Sequence, residues 1–404
     1  MRRVSPVVTA AALITAVLLL LLGQPPLLRW IGAPDVERMH VDFDTFWRSA
    51  HALVVGGWGS GTIYDTGAEL NNLNPPLMSV LLAPFGLLDA LTAYRLFTVL
   101  SVVLTGASVA LVCRELELGR AWTVLGVGAV LASSPLHGTL LLGQIYPLLL
   151  AGLMAGWLAE RRGRPVLAAV CWGITVAVKP SLAPLLVLPV VQGRLRPFAA
   201  GLAAAAVATV AGVVVAGPST ALQWLAMALS EPVGPTMDNA SLPGQALRWG
   251  LPPVLGTVAG GLLVIGTLVL AARRTRRYGT TAAAGTDPAG TLPFAVLAAG
   301  LLAAPISWHN YLLLLWPGLL VLVASGRPGD TRRRVVAALF ALATIPVSWA
   351  DLWIDGAPLT PLGRALYTAI LLACWWTLLR PAVGPVPGVP AGFRSAEGVF
   401  RPAR

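Results

Sequence analysis

Charge is what this 404-residue chain has least of. Only 11% of its residues are Asp, Glu, Lys or Arg, against 56% hydrophobic, and its mean hydropathy is +0.77. A soluble globular domain needs roughly a quarter of its residues charged to cover its surface, so that class is excluded. Short segments of alternating hydrophobicity are missing too, which excludes a β-barrel. Lysine is almost absent: Lys179 is the only one, and arginine supplies the rest of the 28 basic residues. The arginines are scattered between apolar runs, so the net charge of +11 is not a nucleic-acid surface. Cysteine is scarce. Cys113, Cys171 and Cys374 lie far apart in or beside apolar runs, with no CxxC and no Cys/His cluster. That excludes a disulfide framework and a zinc site. No phosphate-binding GxxxxGK[ST], no GxGxxG after a strand and no haem motif occurs, so nothing favours an ATPase or a redox enzyme.

What is present is a series of apolar runs, many of about 17 residues or more, the mark of an all-α polytopic membrane protein. The first, about 4–22, follows Met-Arg-Arg and leads into Gly-Gln-Pro-Pro without a small-residue cleavage site, as expected of an uncleaved anchor helix. Further spans are expected at 92–113, 121–138, 144–160, a Pro-broken pair at 165–177 and 180–192, then 196–216, 251–272, 291–304, 308–325, 333–350 and 361–380. With both tails in the cytoplasm, 21 of the 27 arginines fall inside and 11 of the 17 carboxylates outside, the bias that sets orientation. Residues 24–74 and 218–250 are then outer loops, and the 273–290 linker and the 381–404 tail are cytoplasmic. On this map "NPPLMSVLLAPFGLL" enters from outside without crossing. Such irregular backbone is tolerated only beside protein or a water-filled cavity.

The first outer loop carries the strongest chemical signal. In "MHVDFDTFWRSAHALVVGGWGSGTIYD", Asp42 and Asp44 interleave with Phe43, Phe46 and Trp47, and Arg48 and His51 follow at helical spacing. The pattern predicts a short amphipathic helix on the outer interface, ended by Gly56-Gly57. It could hold a carboxylate over a cavity for general-base work on a hydroxyl or for metal binding, or simply be solvated loop. Lys179 precedes Pro180 at an outer helix break, where it either snorkels to the interface or neutralises a phosphate. His309 and Arg248 are further cationic or hydrogen-bonding candidates. Gln144, Asn239 and Tyr64 are candidates for sugar hydroxyls, with helix-start and loop-turn roles as the alternatives.

These stretches, with "NPPLMSVLLAPFGLL", "GQIYPLLLAGLMAGWLAERRGRP", "GITVAVKPSLAPLL", "NASLPGQALRW" and "SWHNYLLLLWP", resemble in order and spacing glycosyltransferase family 87 of the type C superfamily over roughly residues 40–325. The resemblance implies a type C fold of about 12–13 membrane helices with an outer-face catalytic loop, a single membrane domain over 1–380. It implies a polyprenyl-phosphate sugar as donor, mannose before arabinofuranose, and a glycolipid or lipoglycan acceptor among the membrane lipids. The Asp opening the loop motif, Asp42, becomes the catalytic base, with Asp44 as a substrate contact. Lys179, His309 and Arg248 become the donor-phosphate set. Such a lipid-phosphate donor is already activated, so neither a metal nor another cofactor is expected, nor a nucleic-acid partner. A secondary transporter or flippase is the rival class, since broken helices and a buried lysine suit one. Against it stand the lack of an inverted repeat and the outer clustering of the polar candidates.

Overall fold

Proline sets many of the joints of this molecule. It lacks an N–H, so it starts helices cheaply and forbids helical backbone in the residue before it. The computed structural model describes residues 40–278, 290–325 and 360–379. The expected spans at 4–22 and 333–350 and the tail beyond 380 lie outside these residues, as does most of the 273–290 linker. Along the chain run α1 (Val41–Gly56), α2 (Pro76–Gly86), α3 (Ala90–Glu115), α4 (Arg120–Leu131), α5 (Ser134–Leu142), α6 (Tyr146–Arg161), α7 (Pro165–Val178) and α8 (Pro184–Val191). Then follow α9 (Leu195–Ala216), α10 (Ser219–Ser230), α11 (Leu242–Arg248), α12 (Pro253–Tyr278), α13 (Leu292–Ala303), α14 (Trp316–Ser325) and α15 (Thr360–Leu379). Single 3₁₀ segments at Pro180–Leu182 and His309–Leu315 link α7 to α8 and lead into α14. Among the described residues there is no strand, only the isolated bridge between Asn239 and Trp308.

The chain is an all-α polytopic membrane protein. The helices at Ala90–Glu115, Leu195–Ala216 and Pro253–Arg276 are each long and apolar enough to cross a bilayer alone. The 26 residues of α3 reach about 39 Å, beyond the roughly 30 Å of hydrocarbon. The expected span at 121–138 is a pair: α4 and α5 meet at a 50° bend. The 11 residues of α2 reach only about 16 Å, too short to cross. The break expected between 177 and 180 falls at Lys179, whose φ of −138° and ψ of 90° end α7 ahead of Pro180.

Small residues bring these helices together. A Cβ on Gly173 of α7 would lie 2.2 Å from the Gly201 carbonyl oxygen of α9, and one on Gly86 would lie 2.7 Å from the backbone of Ala50 in α1. Close backbone approach of this kind holds helices together where lipid removes any hydrophobic drive between them. On α9 and α12 the apolar side chains face outward, with Val207 70% and Leu262 63% exposed, as lipid-facing helices require. By contrast α13 is almost wholly buried.

The ends of the helices are chemically distinct. Glu115 at the end of α3 pairs with Arg161 at 3.7 Å and Arg162 at 2.9 Å at the end of α6. Glu160 pairs with Arg194, just before α9. The other ends of α6 and α7 lie 14 to 16 residues away, roughly 21–24 Å along the helix axes. There the remaining polar side chains converge.

Candidate active site

Docking of the start of α1 onto the α5–α6 turn builds the site. His40 stacks on Tyr94 with ring centroids 3.7 Å apart, and its Nδ1 meets the Leu141 carbonyl. Phe43 fills the space beside Gly143, where a Cβ would lie only 2.3 Å from the Phe43 Cβ. Gly143 has φ +71°, the left-handed conformation that ends α5. This turn presents the next residue, Gln144, to Asp42, and their side chains hydrogen-bond.

Asp42 and Asp44 are two residues apart on a helix, about 200° around its axis, so they serve different faces. Asp44 is buried, and its Oδ2 accepts from Arg48 Nε at 2.7 Å one turn on. Asp42 faces Gln144 and the charges of Lys179 and Asp238. Burial pushes its carboxyl up to about 6; the Gln144 hydrogen bond and Lys179 pull it down, and Asp238 pushes it up further.

Lys179 projects from the α7 break. Its Nζ donates to Asn74 Oδ1 at 3.3 Å and lies 5.9 Å from the centre of the Tyr311 ring. Among the described residues it makes no ion pair. Asn74 is itself fixed, its backbone N–H and side-chain amide both donating to Asn72 Oδ1, at 3.1 and 3.2 Å. Its carbonyl accepts from the Tyr64 hydroxyl at 2.7 Å, so Tyr64 reaches this corner through Asn74. Tyr146 and Tyr311 close the space, with ring centroids 4.3 Å apart, and Tyr146 lies in the field of both Asp42 and Asp238.

A second loop completes the site. Asn239 is fully buried, and its Nδ2 donates to the carbonyls of Gly234 at 3.1 Å and Pro305 at 3.2 Å. Its Oδ1 accepts from the backbone of Ser241 at 3.2 Å and Ser307 at 2.9 Å. This amide stitches the 234–241 loop to the 305–309 turn and is occupied by the fold. The His309 backbone N–H donates to the Asp238 carbonyl at 2.8 Å. The His309 ring is fully buried, 5.0 Å from that of Tyr367. Arg248 donates to the carbonyls of Arg364 and Thr236, both at 2.8 Å, and to Gln245 and Thr368. Burial lowers its guanidinium to about 10, and Asp238 opposes that. It ties α11 to α15.

The structure therefore groups Asp42, Gln144 and Lys179. His309 and Arg248 join them only through Asp238 and its loop, while Asp44, Asn239 and Tyr64 are engaged in holding local structure. Sequence reasoning passed over Asp238, Asn74, Tyr146 and Tyr311. Three of these sit inside or beside stretches that drew attention for other residues: "NPP", "GQIYP" and "SWHNY". Asp238, next to Asn239, had no signal beyond being a carboxylate in a chain with few. No group of three or more His, Cys, Asp or Glu able to hold a metal ion occurs among the described residues.

A carboxylate whose proton affinity is raised towards neutrality can receive a proton from a hydroxyl, and an ammonium without an ion pair can take up an anion. Placed at one end of membrane helices, the two belong to an integral membrane enzyme. The model of glycosyltransferase family 87 matches residues 72–287, more than half of the chain, and the chain belongs to that family. Gln144, Lys179, Asp238 and Arg248 lie within the match, with Asp42 and His309 outside it. Two curated relatives are polyprenol-phosphate-mannose-dependent alpha-(1-2)-phosphatidylinositol mannoside mannosyltransferases. The protein of Mycobacterium tuberculosis is 26% identical over 371 residues, 84% of this chain and 80% of its own. That of Mycolicibacterium smegmatis is 25% identical over 319 residues, 72% of each chain.

Proposed function

We propose that this glycosyltransferase moves mannose from a polyprenyl-phosphate donor to a hydroxyl of a membrane glycolipid of the phosphatidylinositol mannoside type, with Asp42 as general base. The observation that carries the reading is the pairing of Asp42 with a Lys179 that lies within its electrostatic reach yet has no ion pair of its own. A donor phosphate brings the anion that Lys179 lacks. Asp42 takes the proton from the acceptor hydroxyl as its oxygen attacks the anomeric carbon. The bond from that carbon to the phosphate oxygen breaks, and polyprenyl phosphate leaves with the electron pair, held by Lys179. Attack opposite the leaving group inverts the anomeric centre. Gln144 keeps the Asp42 carboxylate aimed, and Asn74 does the same for the ammonium. His309 and Arg248 support the donor end from behind, through the Asp238 loop.

The activities of the two relatives favour mannose over arabinofuranose and a phosphatidylinositol mannoside over other lipoglycans. The site occupies the ends of α6 and α7 opposite the arginine-rich joints, and the positive-inside rule keeps those joints in the cytoplasm. That supports an extracytoplasmic site in the cell membrane, with residues 24–74 and 218–250 outside and 1–380 acting as one domain. The test is transfer by the purified protein in lipid nanodiscs. Radiolabel should pass from polyprenyl-phosphate mannose to a phosphatidylinositol mannoside, and not from a nucleotide mannose. Transfer of arabinofuranose instead, or of mannose directly from the nucleotide, would overturn the reading.

A further inference from the structure

Between α1 and α2 the chain reads Asn72-Leu73-Asn74-Pro75, and its side chains form a relay of hydrogen bonds that ends on Lys179. Ser49 Oγ of α1 accepts from the Asn72 side-chain amide at 2.9 Å. Asn72 Oδ1 accepts from the Asn74 backbone N–H at 3.1 Å and from the Asn74 side-chain amide at 3.2 Å. Asn74 Oδ1 then accepts from Lys179 Nζ at 3.3 Å. Ser49, Asn72 and Asn74 are all buried. The loop is pinned from two other directions as well. The Trp224 indole of α10 donates to the Leu73 carbonyl at 3.0 Å, and the Tyr64 hydroxyl to that of Asn74 at 2.7 Å.

Each link forces the next. A backbone N–H can only donate, so the end of the Asn72 amide that meets it is the oxygen. That oxygen also meets one end of the Asn74 amide, which must be the amino end. The oxygen of Asn74 is therefore the end turned to Lys179, whose ammonium has only donors to offer. Ser49 receives the amino end of Asn72. It stands seven residues after Asp42, two helical turns on and within about 20° of it around the axis of α1. One face of α1 thus carries Asp42 and, through this relay, fixes Lys179.

We propose that Asn72 is a positioning residue for the transfer reaction: its oxygen turns the Asn74 amide so that a neutral carbonyl holds the Lys179 ammonium in place and leaves its charge to the donor phosphate. The inference rests on Lys179 taking up that phosphate. A carboxylate in place of the Asn74 amide would hold the ammonium too, but as an ion pair that competes with the donor. A lysine with no holder would have to be ordered each time a donor binds. A neutral amide, locked in one orientation, avoids both.

The experiment is steady-state transfer by the nanodisc enzyme, with KM measured separately for polyprenyl-phosphate mannose and for the phosphatidylinositol mannoside acceptor. Asn72→Ala removes the relay and the turn with it. Asn72→Ser keeps the turn, because a serine oxygen can accept the N–H two residues on, but its shorter side chain does not also reach the Asn74 amide and Ser49. It carries the same prediction if the alanine variant does not fold. The donor KM should rise about three- to tenfold, the effect of ordering one long side chain on binding, with kcat and the acceptor KM near wild type. In a Lys179→Met background the same substitution should change kcat/KM by less than about twofold, because its effect passes through the ammonium. A donor KM at the wild-type value, or an equal loss in both backgrounds, overturns the inference and leaves Asn72 a structural loop residue. Lys179→Met alone separates the two ideas. If it keeps the wild-type kcat/KM, the phosphate assignment fails and this inference with it. If it is impaired while Asn72→Ser keeps the wild-type donor KM, only the role of Asn72 fails.

Discussion

Replacing Lys179 with methionine removes the charge at the site and keeps most of the side chain. What the fold loses is small: one hydrogen bond of 3.3 Å to Asn74 and a ring contact at 5.9 Å with Tyr311. No ion pair is broken, so no partner carboxylate is stranded, and the thermal midpoint should stay within a few degrees of wild type. What the reaction loses is large. An ammonium about 4 Å from a phosphate charge contributes roughly 4 kcal/mol at the effective dielectric of a partly wet protein site. Each 1.4 kcal/mol is about tenfold in rate, so kcat/KM should fall about 10²–10³-fold after allowance for water taking over part of the charge. The assay is transfer in nanodiscs at several donor concentrations. Because the leaving phosphate carries more charge in the transition state than in the donor, kcat should fall together with kcat/KM. Lys179→Arg should recover part of the rate and Lys179→Gln none. Activity of Lys179→Met within about threefold of wild type would refute the assignment of Lys179 to the donor phosphate.

The pH dependence of kcat/KM should show an acidic limb with its midpoint near pH 6, because Asp42 acts only when deprotonated and burial pushes its carboxyl up to about 6; activity should drop about tenfold per pH unit below that, and a limb near pH 4 would show that burial does not raise the carboxyl of the base. Asn239→Ala removes four hydrogen bonds and strands two buried backbone N–H groups, those of Ser241 and Ser307, at roughly 1–3 kcal/mol each, so the thermal midpoint should drop sharply, as differential scanning fluorimetry would record. Asp44→Asn weakens the i,i+4 contact with a partly exposed Arg48 on the face of α1 away from Gln144, so it should change turnover by less than about threefold, measured in the same nanodisc assay.

Long apolar runs made the membrane fold legible, and the punctuation around them made several joints legible too. Lys179-Pro180 was expected to break a span and does, because the residue before proline is driven out of the helical region. The stretch at 41–56 was expected to be a short helix ended by glycine, and α1 ends at Gly56. The bend between α4 and α5 was not visible, nor was the 3₁₀ segment at His309–Leu315. Within a run that is apolar on all sides, periodicity carries no phase, so a helix, a bent pair and a 3₁₀ segment look alike. The short helices α10 and α11 lie in what reads as loop. At the site, Asp42, Gln144 and Lys179 could be picked out because each sits at a break in an apolar run, where polar side chains are costly and few. Asp238 and Asn74 could not. Both lie in polar loops where any carboxylate or amide looks solvated, and only the folding of 234–241 onto 305–309, or of Tyr64 onto Asn74, gives them their place.

The identity of the base can be measured directly by transfer of label from polyprenyl-phosphate mannose by Asp42→Asn. Asparagine preserves the volume of the side chain and its contact with Gln144 but cannot accept a proton from the acceptor hydroxyl. Loss of a positioned base costs about 10²–10⁴-fold in rate. We therefore expect no detectable product from Asp42→Asn at enzyme levels where wild type runs to completion, with expression and thermal midpoint near wild type. Near-normal turnover by Asp42→Asn would contradict the assignment. If Asp44→Asn were the inactive variant instead, the base would lie on the opposite face of α1.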